Sequence, residues 1–232
     1  MKRIASGRSE VALHELSSGA GPTLLALHAL GGSSRDFAAL AEHWPGRVLA
    51  LDFAGHGDSD WARGGSYTPE LHAADADTVL HESGEVCVAG AGLGAYVALL
   101  LAGVRPGLVR AALLLPGRGL EGGGPEPHRE RAPEVRDVLQ MLDASSARPR
   151  PAFDPMLRAC ETDPRPADYA RAYADAARRL LLVEDGGARP PWWEAARAAA
   201  CAEVASTDAA DALRRLLEGS QAGPSAGRNR AP

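Results

Sequence analysis

Residues 86–95 read Val-Cys-Val-Ala-Gly-Ala-Gly-Leu-Gly-Ala, an apolar run that passes through three alternating glycines. The residues before Gly90 predict a buried strand, and the apolar run Tyr96–Leu101 after the turn predicts a helix. Glycine tolerates backbone conformations and close approaches that exclude other residues, so this spacing suits a sharp turn. The stretch therefore predicts a strand, a tight turn and a helix, which is the repeating unit of layered α/β folds.

Composition agrees with one soluble α/β domain. The chain has 232 residues, of which 45% are hydrophobic and 24% charged, enough for a sizeable core. Its net charge of −5 argues against nucleic acid as a partner. No stretch has the length or apolar character of a membrane span or a signal peptide. We expect a cytoplasmic protein with no metal or cofactor, and the sequence leaves its oligomeric state open.

Two further compositional features bear on its source and compartment. Lys2 is the sole lysine among 25 basic residues, and such arginine richness is typical of a high-GC, bacterial genome rather than of a phosphate site. The three cysteines, Cys87, Cys160 and Cys201, are odd in number and widely spaced, which indicates buried thiols in a reducing compartment.

Apolar strand-like runs alternate with helical stretches, which predicts a mostly parallel central sheet flanked by helices. The predicted strands are Glu10–Leu16, Thr23–His28, Val48–Asp52, Glu85–Gly90, Ala111–Leu115, Leu180–Val183 and Ala202–Ala205. The predicted helices are Ser34–His43, Thr68–Ser83, Gly94–Val104, Trp192–Ala200 and Asp208–Glu218.

The amino-acid composition changes between residues 117 and 178. A triple glycine at 122–124 precedes a proline-rich stretch with short helix-compatible pieces at Val135–Leu142 and Tyr169–Ala177. We interpret residues 117–178 as a short cap insertion within a single domain of residues 1–219. Residues 220–232 are rich in Gly, Pro, Ser and Arg and predict a disordered tail.

Three more motifs lie around the glycine turn in a characteristic order. Leu27-His28-Ala29-Leu30-Gly31-Gly32 follows an apolar strand, and Asp52-Phe53-Ala54-Gly55-His56-Gly57-Asp58-Ser59 follows the next one. Tyr67-Thr68 then begins a helix that contains Asp75. Together with residues 86–95 this order resembles the α/β-hydrolase fold superfamily, over residues 10–116 closely and 178–218 more loosely. The resemblance implies that fold, with the 90–94 turn as its nucleophile elbow.

The same glycines also fit a dinucleotide fingerprint, Gly90-x-Gly92-x-x-Ala95. That fingerprint normally follows the first strand, and an acidic residue then stands at the end of the next strand. Here the next strand ends Leu115-Pro116-Gly117 and carries no acid. The sequence therefore fits the hydrolase elbow better.

Two residues of the hydrolytic triad are missing from the positions that the resemblance assigns. Gly92 stands where the family has its serine nucleophile, and no histidine follows His128, although the family's base lies after the last strand. Glu184 and Asp185 match the position of the triad acid. Without an imidazole to orient, we interpret Asp185 as a helix-capping or structural residue and keep it as a weak catalytic candidate.

Several other reactive side chains have a structural interpretation as well as a functional one. His28 and His56 match positions that brace turns in the family, and His28 is a weak candidate acid or base. Ser33 or Ser34 fits a helix N-cap better than a nucleophile. Cys87 lies mid-strand as a core thiol, and Trp192 and Trp193 fit core packing at a helix start.

What the resemblance leaves is a binding site made from the main chain. It implies that the amides of Leu30 and Leu93, beside Ala29 and Gly92, hold a carbonyl group of a small-molecule ligand. Glycine at 92 removes the backbone strain of the elbow, which favours a degenerate hydrolase, or pseudoenzyme. The alternatives are a non-hydrolytic cyclase, dehydratase or lyase, a hydrolase with a displaced nucleophile or base, and a structural partner of another protein.

Overall fold

A computed structural model of the protein describes residues 1–7, 9–62, 66–121, 153–187, 189–205 and 208–221. The strands are β1 Lys2–Ser6, β2 Ser9–Ser18, β3 Gly21–Leu27, β4 Gly46–Asp52, β5 Val86–Ala91, β6 Val109–Leu115, β7 Leu180–Val183 and β8 Ala202–Ala205. The helices are α1 Ala38–Ala41, α2 Pro69–Ser83, α3 Leu93–Val104, α4 Ala167–Ala176, α5 Pro191–Arg197 and α6 Ala209–Gln221. Short 3-10 helices cover Ser34–Phe37 and Pro155–Cys160.

The eight strands described here form one sheet in the order β1-β2-β4-β3-β5-β6-β7-β8. β1 and β2 join antiparallel, β2 meets β4 antiparallel, and the pairings from β4 through β8 are parallel. The mostly parallel sheet predicted from the sequence is confirmed. The glycine turn follows β5, the fifth strand along the chain, whereas the dinucleotide fingerprint normally follows the first strand.

The sheet has a hydrophobic core on each face. Alternate residues of each strand contribute to the two cores, because successive strand side chains point to opposite faces. α2, α3, α4 and α5 cover one face. α1 and α6 cover the other, where they pack on side chains such as Leu24. Nearly every residue of α3 is buried, which explains why its sequence is continuously apolar.

The sequence missed β1, and the reason is its edge position. Only Ile4 of that strand is buried, so the strand shows no apolar alternation. The predicted helix Ser34–His43 was too long: a 3-10 turn precedes the four-residue α1. α1 ends at Ala41, and Glu42 and His43 form a turn that leads to Pro45, which disfavours a helical conformation for Trp44.

The described parts of the predicted cap insertion are residues 117–121 and 153–178, and the second part contains α4, which packs against α3 and α5. The predicted piece Val135–Leu142 lies outside the described residues, as does most of the predicted tail. Among the described helices, no segment is both long and apolar enough to cross a membrane.

Candidate functional site: a main-chain carbonyl site at the β5–α3 turn

The turn between β5 and α3 has the geometry of a nucleophile elbow. Gly92 adopts φ 53° and ψ −114° and precedes the first residue of the helix. Its neighbours are glycines because the turn is crowded: a Cβ at Gly90 would lie 2.0 Å from the Gly94 oxygen, and one at Gly94 would lie 2.1 Å from the Leu27 oxygen. The Leu93 amide is left at the helix N-terminus without an intrahelical acceptor.

A second amide comes from the loop that follows β3. A turn closes from the Gly32 N–H to the Ala29 oxygen at 2.9 Å, with Gly31 at φ 78°. The Gly31 N–H donates to His56 Nε2 at 3.1 Å, so a histidine from the β4–α2 connection holds this loop in place. The Leu30 amide between these anchors points toward the elbow.

The amides of Leu30 and Leu93 converge on a single acceptor. Both donate to the main-chain oxygen of Arg118, each at 3.0 Å. Arg118 lies three residues after the end of β6, at the start of the predicted cap. The two N–H groups that would polarise a ligand carbonyl therefore hold a carbonyl of the chain itself.

The remaining predicted ligand-binding residues surround the same segment. A Cβ at Gly92 would lie 2.2 Å from the Arg118 oxygen and 2.5 Å from the Gly117 carbonyl carbon. A Cβ at Gly117 would lie 3.2 Å from the Ala29 side chain. The structure thus brings Ala29, Leu30, Gly92 and Leu93 together around residues 117 and 118, which the sequence analysis had not connected with the site.

A small cavity borders the elbow. It offers about 10 Å³ to the centre of a water molecule, roughly the room for one water. Its lining consists of Gly92, Leu115, Pro116, Gly117, Arg189, Pro190, Trp192 and Trp193. Trp192 and Trp193 are both buried there, in agreement with their predicted packing role.

His28 is wholly buried and has both ring nitrogens engaged with the main chain. Nδ1 lies 2.8 Å from the Ala29 oxygen, and Nε2 accepts the Phe53 N–H at 3.1 Å. This pairing requires the neutral ring with its proton on Nδ1. Burial lowers the pKa of His28 to about 4, in keeping with a neutral brace between the β3 and β4 loops.

His56 is buried in the same way, 4.7 Å from the His28 ring between centroids. Its Nε2 accepts the Gly31 N–H, and burial lowers its pKa to about 2. The proximity of His28 acts in the same direction. Phe153 stacks on its outer side, at 5.9 Å between centroids.

Asp185 lies after β7, where the family's acid is expected, but it faces solvent. Its carboxylate accepts the Gly187 N–H at 2.9 Å and pairs with Arg189 at 2.6 Å. The hydrogen bonds from Gly187 and Arg189 lower its pKa. No imidazole of the described residues is among its hydrogen-bond partners.

Asp52, at the end of β4, holds two neighbouring loop segments in place through hydrogen bonds. Its carboxylate accepts the N–H groups of Ser34 at 2.6 Å and Asp58 at 2.9 Å. Burial opposes ionisation of Asp52, but these main-chain donors outweigh it and lower the pKa. His14 Nε2 lies 3.2 Å from Asp52 and 3.5 Å from Asp58, so three potential metal ligands come together. Hydrogen bonds of the Asp52 carboxylate with His14 on β2 and with the Asp58 N–H already account for this grouping.

The other nucleophile candidates have structural positions. Ser33 caps the 3-10 helix in a capping box with Asp36. Cys87 is buried in β5, and all three cysteines are free of disulfides.

Residues 24–226 match the sequence model of the Alpha/beta hydrolase family, so the chain belongs to that family. It is also 29% identical, over 141 residues, to Esterase Rv0045c of Mycobacterium tuberculosis. That alignment covers 60% of this chain and 46% of the esterase, so the chain matches less than half the length of this relative.

Solved structures show the same fold at low identity. The thioesterase domain from the curacin biosynthetic pathway superposes with a TM-score of 0.67 at 18% identity, over 94% of this chain and 98% of that domain. The bottromycin epimerase BotH, in complex with bottromycin A2, superposes with a TM-score of 0.60 at 19% identity, over 95% and 96%.

Proposed function

We propose that this protein is a pseudoenzyme of the α/β-hydrolase family that binds a small carbonyl-bearing molecule through the amides of Leu30 and Leu93. The observation that carries the proposal is the pair of 3.0 Å hydrogen bonds from these amides to one carbonyl oxygen, that of Arg118. This convergence of two amides on one oxygen supports a donor pair like that of an oxyanion hole. A ligand carbonyl would take the position of the Arg118 oxygen.

The chemistry around that pair supports binding without hydrolysis. Position 92 offers no hydroxyl, and its Cβ space is taken by the Arg118 carbonyl. His28 and His56 use ring nitrogens to hold main-chain N–H groups, so neither is poised to activate a nucleophile. Asp185 pairs with an arginine instead of orienting a base.

The similar proteins include an esterase and an epimerase. The similarity to an esterase favours a hydrolase with a displaced nucleophile or base, whereas the similarity to an epimerase favours a non-hydrolytic enzyme. We favour binding because the donors recognise a carbonyl while no acid–base pair of the described residues faces them.

Hydrolysis of an activated ester tests the first half of the proposal. We expect p-nitrophenyl acetate to be hydrolysed no faster by the folded protein than by the same concentration of denatured protein, with no saturation. Without an activated nucleophile, the amides alone polarise the carbonyl but do not attack it. Saturable turnover in the folded protein would establish a displaced nucleophile or base and overturn the proposal.

A further inference from the structure

The residues that fill the site form a short segment with glycines at its points of closest contact. We name residues Pro116–Leu120 the plug. A Cβ at Gly117 would lie 2.7 Å from the Gly92 nitrogen, and Gly119 has φ 109° with its Cβ position 3.0 Å from the Leu30 and Leu93 side chains. The plug therefore sits main chain against main chain, and the glycine at 92 is part of the same fit.

The outer end of the plug is held by contacts to residues in and next to the 3-10 helix Pro155–Cys160 and to Trp192 of α5. The Arg118 guanidinium pairs with Glu161 and lies 5.8 Å from the centre of the Phe153 ring. The Leu120 N–H donates to the Cys160 oxygen at 2.7 Å, and Trp192 Nε1 donates to the Leu120 oxygen at 3.2 Å. The ion pair is partly exposed, so salt and mutation can weaken it.

The chain leaves the plug through a strained turn. Leu120 has φ 52° and Glu121 has φ 61°, and both are residues with a side chain in the left-handed region. These are the non-glycine residues with positive φ in the described part of the chain. Such conformations persist only where surrounding contacts enforce them, and they cluster at switch regions and ligand clamps.

We propose that the plug is an autoinhibitory internal ligand, which occupies the site with a peptide carbonyl and swings out about Leu120–Glu121 to admit an external amide. The ligand class follows from the occupant, since a peptide carbonyl already satisfies both donors. The choice of an amide ligand rests on the proposed function, whereas opening of the plug does not.

Hydrogen exchange of individual amides tests the opening without any ligand. In the closed state the N–H groups of Leu30 and Leu93 both donate to the Arg118 oxygen of the plug. Both amides should therefore exchange through the same local opening. We expect Glu161→Gln to speed exchange of both amides by about tenfold, because the charge that strengthens the Arg118–Glu161 hydrogen bond is lost from the closed state alone. Added salt should speed the same two amides in the wild-type protein.

The matched control is Glu15→Gln, which removes the carboxylate of the Arg47–Glu15 pair at 2.7 Å, on β2 and β4. It should leave the exchange of Leu30 and Leu93 unchanged. If Glu161→Gln has no effect and both amides exchange only with global unfolding, the plug is a permanent part of the core and the inference is wrong.

Gly117→Ala provides a second variant that forces the plug outward, since its Cβ would lie 2.7 Å from the Gly92 nitrogen. We expect rapid exchange of both amides in this variant, and tighter binding of the probe N-acetylglycinamide than in the wild type, because no closed state competes. Fast exchange without probe binding would uphold the plug and overturn the amide ligand. Slow exchange in a folded Gly117→Ala protein would overturn the plug itself.

Discussion

Gly92→Ser is expected to lower the free energy of unfolding by about 2–4 kcal/mol and to restore no esterase activity. The new Cβ would lie 2.2 Å from the Arg118 oxygen, so the plug must leave the site or distort it. The Leu30 and Leu93 amides would then lose their shared acceptor, and a non-glycine residue would occupy φ 53°. Urea unfolding at pH 7 measures the loss.

Gly7→Ser separates the clash from the backbone strain. Gly7 has φ 56°, almost the value at Gly92, but its Cβ position has no atom within 4 Å. It should therefore cost about 1 kcal/mol, from the left-handed conformation alone. An equal cost for the two variants would mean that the site accepts a serine beside the Arg118 carbonyl. Esterase activity in Gly92→Ser would mean that a base reaches the elbow.

Much of the fold could be predicted because its strands are buried and its turns carry glycine. The predicted and observed bounds of β7 and β8 coincide, and the other predicted strands differ by one or two residues at one or both ends. The exception, β1, lies at the sheet edge with a single buried side chain and leaves no periodic signal. The order of motifs around the elbow identified the family, since those motifs are local in sequence.

The sequence could not predict that the Arg118 carbonyl occupies the site, because this carbonyl is a main-chain group. Any residue could supply the carbonyl that Arg118 supplies, so no side-chain type marks it. The available signal was the spacing Gly117-Arg118-Gly119 directly after a buried strand, together with a glycine at 92. Only the folded sheet brings the ends of β5 and β6 side by side, with Gly90 opposite Leu114, and so makes these glycines one feature.

The histidines that the family resemblance marks are structural in this fold, and this has a consequence for stability. His28 ties the β3 loop to the start of the β4 loop, and His56 ties the β4 loop back to Gly31. Each bond needs an unprotonated nitrogen as acceptor. The geometry of the carbonyl site therefore depends on two buried rings that remain neutral.

The free energy of unfolding is expected to fall steeply as the pH drops from about 6.5 to 4. The pKa values of His28 and His56 in the fold are about 4 and about 2, below the ordinary 6.5 that applies to the unfolded chain. At a pH between its folded and unfolded pKa values, each histidine is protonated in the unfolded state but not in the folded state. A lower pH therefore favours unfolding. Each histidine should contribute about 1.4 kcal/mol per pH unit, or about 3 kcal/mol by pH 4.

Urea unfolding in steps from pH 7 to pH 4.5, for the wild type and for His56→Gln, measures this dependence. Replacement of His56 by a side chain that does not titrate should reduce the slope by close to one proton. The control is His81→Gln, which makes the same substitution at a histidine on α2 that has 65% of its side chain exposed. A slope that His56→Gln leaves unchanged would mean that His56 is protonated in the fold. In that case it could not accept the Gly31 N–H, and the loop that carries the Leu30 amide would be held by other contacts.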